Sequence, residues 1–112
     1  MVYVPVIPGD DAPEGKLVPI EIDGRAIVIY REDGNLFAID DRCSHAGARL
    51  SGGKARNGTI MCPLHGARFN LATGHCLSKV QGFAPVAVHA IRERDGMIEV
   101  CLNGGNMGAE SN

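Results

Sequence analysis

Three Asp-Gly dipeptides, at 23–24, 33–34 and 95–96, each separate two apolar runs of strand length. The two-residue turn that closes a tight hairpin needs positive φ at its centre, which Asp and Gly tolerate. Each dipeptide therefore predicts a pair of antiparallel neighbours. The first two link residues 16–22, 25–30 and 36–39 into a three-stranded meander, and the third joins 85–91 to 97–102 as a closing pair. In the third strand Leu36, Ala38 and Asp40 share one face, Phe37 and Ile39 the other. Residues 2–7 read as a further strand, placed at a sheet edge because Pro5 cannot donate to a ladder.

Short strands are also expected at 59–61 and 67–71, the latter turned by Thr73-Gly74 into a return strand at 75–77. No window carries apolar residues at helical spacing over three turns. Nine or ten short strands with fifteen Gly and six Pro predict an all-β chain, an antiparallel sandwich or barrel. With 112 residues it forms one domain, 1–112. There is no Trp, and only two Tyr and three Phe, so the core is built from Val, Ile, Leu and Ala. The Gly/Asn-rich tail at about 103–112 is expected to fray.

Between the meander and the closing pair the pattern changes. Residues 41–58 follow no sustained period, and such stretches signal function or disorder. This one opens with Cys43 and His45, a C-x-H pair. After sixteen intervening residues come Cys62 and His65, a C-x-x-H pair. Each pair offers one thiolate and one imidazole, and each is followed by glycine, at Gly47 and Gly66. Two Cys and two His can bind zinc tetrahedrally. They can also hold a 2Fe–2S cluster, with thiolates on one iron and imidazoles on the other. Zinc fingers usually pair like with like and carry the histidines on a helix, whereas here each loop supplies one of each.

Charge is unevenly distributed. Residues 42–79 hold six basic side chains and no acid, leaving +6 there against −8 in the rest of the chain. A basic lobe of this kind suits an acidic protein surface. Arg42, Arg49, Lys54 and Arg68 are the candidates for that contact, with a merely solvated face as the equal alternative. A pI near 6.0 and the lack of interleaved aromatic and basic residues argue against nucleic acid. No membrane-length apolar segment or secretory leader is visible, so the expectation is a cytoplasmic protein with reduced cysteines.

The two pairs and their setting resemble the Rieske iron–sulfur proteins. The match comprises C-S-H-A-G, sixteen intervening residues, then C-P-L-H-G, set between early strands and closing strands. The resemblance implies a Rieske-type antiparallel sandwich or barrel with a small cluster-binding subdomain of two loops, about 41–82, holding one 2Fe–2S cluster. Cys43 and Cys62 would bind the inner iron, and His45 and His65 the outer iron, leaving an imidazole edge for electron transfer. High-potential members carry a cross-loop disulfide and a serine bonded to a cluster sulfur. The corresponding places here hold Ala48, Leu64 and Ala67, which implies a potential on the order of −150 mV.

The C-P-L-H-G-A-R-F-N…T-G segment is most similar to soluble ferredoxins of bacterial aromatic-ring oxygenases. That implies a monomeric one-electron carrier between a flavin-containing ferredoxin reductase and a terminal Rieske non-haem iron oxygenase, with no catalytic residues of its own. The alternatives are a small Rieske subunit of a nitrite reductase and a structural zinc-binding module. The group's proline-bearing cover over the cluster falls at 79–85, where Gln81-Gly82 takes the covering position. His75 reads as a surface residue, Cys76 and Cys101 as packing, and His89 as structural. Asp40 and Asp41 read as caps for the turn into the first loop.

Overall fold

The computed structural model describes residues 2–43, 48–64, 66–77 and 84–102. These form nine strands: β1 (Val4–Pro8), β2 (Val18–Ile22), β3 (Arg25–Glu32), β4 (Asn35–Asp40), β5 (Lys54–Arg56), β6 (Thr59–Met61), β7 (Arg68–Asn70), β8 (Val88–Arg94) and β9 (Met97–Cys101). Two 3-10 turns, Gly9–Asp11 and Leu50–Gly52, are the helical elements among the described residues. None of the described helices is long and apolar enough to cross a membrane.

Six strands make one antiparallel, nearly closed, barrel-like sheet in the order β1-β9-β8-β4-β3-β2. The predicted Asp-Gly turns close β2–β3, β3–β4 and β8–β9, with φ of 51–53° at the aspartates and 78–79° at the glycines. β1 lies at the sheet edge, paired with β9, as Pro5 requires. A second sheet of three strands, β5-β6-β7, comes from the segment between β4 and β8.

β3 and β4 are buried on both faces, and their alternation divides the core. Ile27, Ile29, Leu36 and Ala38 point into the six-stranded sheet with Ile22, Ile98 and Val100. Val28, Tyr30, Phe37 and Ile39 point the other way, onto Leu50, Ile60, Phe69 and Leu71 of the second unit. Phe69 and Ile60 are wholly buried there. Burying each such side chain contributes about 1.5–3 kcal/mol. Cys43 and Cys62 belong to this second core, so the packing that joins the two sheets also forms the floor beneath the paired loops.

Three expectations about local structure change. Residues 54–56 belong to β5, paired with β6 around an Asn57-Gly58 turn of the same positive-φ kind, with φ of 53° and 75°. The run 41–58 is thus irregular only in part. The return strand at 75–77 reduces to a single bridge, Phe69 to Cys76. Asn70 Oδ1 accepts the Ala72 and Thr73 N–H groups at 2.8 and 3.0 Å, which tightens the turn, and the bonds from Asn70 N–H to the His75 carbonyl and from Leu77 N–H to that of Arg68 flank the bridge. The closing strand begins at Val88 instead of residue 85, because Val86 N–H is drawn to the Gly74 carbonyl at 2.9 Å.

Candidate metal centre

Each cysteine begins a loop closed in the same way. Cys43 N–H donates to the Ala48 carbonyl at 2.7 Å, and Cys62 N–H donates to the Ala67 carbonyl at 2.7 Å. Both bonds span five residues, so the C-S-H-A-G-A and C-P-L-H-G-A segments close rings of equal size despite different spacing within them. Gly66 helps turn the second loop with φ of 70°, a conformation that side chains disfavour. Gly53 is required for a different reason. A Cβ there would stand 1.8 Å from the Met61 carbonyl oxygen, so the chain entering β5 runs against the residue that precedes Cys62.

The two thiols are brought together and are each 1% exposed. Burial pushes the Cys62 thiol above its usual range, and its hydrogen-bonding and charge interactions with Cys43 push it further, against a lowering backbone bond near Leu64. A buried, facing pair of thiols without a disulfide suits two ligands to one metal group. His45 and His65 lie outside the described residues, as do the covering positions Gln81 and Gly82 and the tail from 103 to 112. Ala48 and Ala67 supply the carbonyls that close the two loops, and Leu64 is 49% exposed.

Polar side chains from the first sheet hold the loops in place. Asp41 N–H donates to the Ala26 carbonyl at 2.9 Å and Asp40 N–H to that of Ala87 at 2.9 Å, which fixes the exit toward Cys43. The Asp41 carboxylate is buried and accepts from Ser51 N–H and Ser51 Oγ, each at 2.7 Å. It spans the first loop from end to end, a larger role than the local turn cap expected from sequence. Glu32 accepts the Asn57 and Gly58 N–H groups at 2.7 and 2.6 Å. Tyr30 Oη donates to the Ala55 carbonyl at 3.2 Å. Burial first, then the charges of Glu32, Glu14 and Asp33, push the Tyr30 phenol above its usual range and keep that donor protonated. The sequence offered a signal for the Glu32 contact in Asn57-Gly58, a hairpin dipeptide whose free N–H groups suit a carboxylate.

The remaining sequence candidates separate. His75 is exposed, Cys76 is half-buried and Cys101 is packed in β9. His89 is buried, with Nε2 2.8 Å from Asp40 Oδ1, while Arg25 contacts both oxygens of the same carboxylate at 3.0 and 3.1 Å. That group is structural. Arg42, Arg49, Lys54 and Arg68 are all exposed, but on two surfaces. Arg42 and Arg49 line a cleft with Arg25, Glu21, Asp23, Asp40 and Asp41, where carboxylates outnumber cations. Lys54 and Arg68 flank Met61 across the outer face of the three-stranded sheet. Arg56, not among the candidates expected from sequence, joins them in a shallow groove whose described lining holds three cations and no carboxylate.

Comparison with known proteins places this architecture. Residues 2–90 match the model of the Rieske [2Fe-2S] domain, so the chain belongs to that family and its cofactor is a Rieske-type 2Fe–2S cluster. The chain is 41% identical over 68 residues to the ferredoxin component of the naphthalene 1,2-dioxygenase/salicylate 5-hydroxylase systems of Ralstonia sp. That match covers 61% of this chain and 65% of the relative. It is 38% identical over 85 residues to the 3-phenylpropionate/cinnamic acid dioxygenase ferredoxin subunit of Shigella flexneri, covering 73% of this chain and 79% of that one. The fold superposes on the ferredoxin of carbazole 1,9a-dioxygenase from Nocardioides aromaticivorans with a TM-score of 0.83 and 28% identity, over 92% of this chain and 100% of the other. A ferredoxin in complex with the oxygenase of carbazole 1,9a-dioxygenase gives 0.79 and 27%, over 88% and 100%.

Proposed function

We propose that this protein is a one-electron carrier of a bacterial aromatic-ring oxygenase system, taking electrons from a flavin-containing ferredoxin reductase and delivering them to a terminal Rieske non-haem iron oxygenase. The observation that carries this reading is the pair of equally closed loops, each headed by a buried cysteine free of any disulfide, in a chain 38–41% identical to dioxygenase ferredoxins. Cys43 and Cys62 would hold one iron and His45 and His65 the other, within a cluster-binding unit of about 41–82 in a single domain of 1–112. When bound, the cluster supplies a one-electron couple of raised potential, because neutral imidazoles replace two anionic thiolates.

The chain's own groups bury the thiolate side and fix both loops on a rigid sheet. Substrate chemistry therefore belongs to the oxygenase. A monomer in the cytoplasm, with all four cysteines free, fits this role. Ala67 supplies no hydroxyl to a sulfide, which supports a potential on the order of −150 mV. Docking is drawn to the outer face of β5–β7, where Lys54, Arg56 and Arg68 surround Met61 next to Cys62. The cleft of Arg42 and Arg49 is a poorer candidate because its own carboxylates offset its cations.

The test is anaerobic purification from iron-replete cells, followed by visible and electron-paramagnetic-resonance spectra and single-turnover mixing with reductase and oxygenase. A red-brown protein reduced by one electron, and reoxidised by the oxygenase, is expected. A colourless, zinc-loaded protein would sink the proposal.

A further inference from the structure

Among the described residues two polar side chains are buried, Asp41 and His89. His89 shares the Asp40 carboxylate with Arg25, so opposite charges meet there directly. Asp41 is different. Its side chain has no exposed surface. It stands two residues before Cys43, and a two-residue span cannot exceed about 7 Å. Both carboxylate oxygens accept hydrogen bonds, Oδ1 from Ser51 N–H and Oδ2 from Ser51 Oγ, and both donors are neutral. Among the described residues the cation paired with it is Arg49, with Nη1 3.7 Å from Oδ2 and a side chain 65% exposed. The anion is therefore dry while its counter-charge is wet. Charges near a protein surface act through an effective dielectric of about 20, and charges in water through one of about 80. At the Cys43 loop the negative charge of Asp41 is felt more strongly than the positive charge of Arg49.

We propose that Asp41 lowers the reduction potential of this site as a buried, incompletely compensated carboxylate beside the Cys43 loop. The inference rests on the cluster reading above. An added electron makes the centre more negative, and a fixed anion nearby raises the energy of that state. The effect is separate from the missing hydroxyl at Ala67. That deficit concerns hydrogen bonds to sulfur, whereas Asp41 acts through space.

The test is a spectroelectrochemical titration of the full-length holoprotein, followed in the visible. Asp41→Asn keeps an oxygen for the Ser51 N–H and removes the charge. It is expected to raise the potential by at least a tenfold change in the one-electron equilibrium, about 59 mV. Ser51→Ala withdraws one donor and leaves the charge, so its shift is expected to be downward. A structural disturbance common to both variants would not produce opposite signs. Glu21→Gln removes an exposed carboxylate from the nearby cleft and is expected to shift the potential by less than a third as much. An Asp41→Asn potential unchanged, or moved no further than that of Glu21→Gln, overturns the inference. If Asp41→Asn does not fold, Ser51→Ala decides: a downward shift supports the inference, and none or an upward one overturns it. A wild-type protein without the cluster spectrum defeats this inference and the proposed function together, while a red-brown protein with unmoved variants defeats this inference alone.

Discussion

Cys43 and Cys62 differ from Cys101 in their surroundings more than in burial. All three are shielded, but the first two face each other at the heads of closed loops, and Cys101 sits in the β9 ladder. Cys43→Ser is therefore expected to abolish the visible spectrum and to destabilise the fold, because metal binding is coupled to folding. Cys101→Ala is expected to retain that spectrum, and its loss would show the ligand assignment to be wrong. The carboxylate of Asp40 makes a separate prediction. Partial burial alone would raise its pKa, but the hydrogen bonds from His89 and Arg25 and the Arg25 charge outweigh burial and hold it below the usual carboxylate range. The folded state thus binds that proton less readily than the unfolded chain does. The stabilisation is complete above the ordinary carboxylate pKa and is lost as pH falls through that value and below it. Denaturant melts across this acid range should show a weaker pH slope for Asp40→Asn than for wild type.

The elements that were legible in sequence are those whose turns specify themselves. Asp23-Gly24, Asp33-Gly34 and Asp95-Gly96 define their hairpins locally, and the alternation along 36–39 separates the side chains that enter the two cores. β5 was not legible, because Lys-Ala-Arg carries one small apolar residue and no β-branched side chain. Tertiary contacts make it a strand: Gly53 lies against Met61, Tyr30 reaches the Ala55 carbonyl, and Glu32 holds the Asn57-Gly58 turn. The Tyr30 and Glu32 contacts lie across 25 or 26 residues of sequence, beyond any local pattern. Tyr30→Phe is expected to cost about 0.5–1.5 kcal/mol, the net worth of one such hydrogen bond. Glu32→Gln loses charge assistance at two amides and is expected to speed hydrogen exchange at Asn57 and Gly58 while leaving the β2–β3 hairpin unchanged. Exchange that quickened equally in both hairpins would mean that Glu32 supports the whole fold and not this element.

For the whole molecule, the two Cys/His pairs were visible because the sequence sets down the same pair of residue types twice. The proposed docking surface was visible only as a charge count. The count placed six cations in one lobe, but could not show that Arg42 and Arg49 share their cleft with carboxylates while Lys54, Arg56 and Arg68 do not. Only the three-dimensional register, with Lys54, Met61 and Arg68 in one cross-strand row, separates the two sets. The separation is testable by electron transfer to the oxygenase in stopped flow. Steering by complementary charge raises association by about tenfold or more at low salt and fades as the Debye length contracts to about 8 Å at physiological salt. Lys54→Glu with Arg56→Glu is expected to slow the second-order rate about tenfold at low ionic strength and to flatten its salt dependence. Arg42→Glu with Arg49→Glu should keep most of that dependence, since this pair sits among acids already. If the second pair flattened the profile and the first did not, docking would belong to the cleft, and the outer face of β5–β7 would be an ordinary solvated surface.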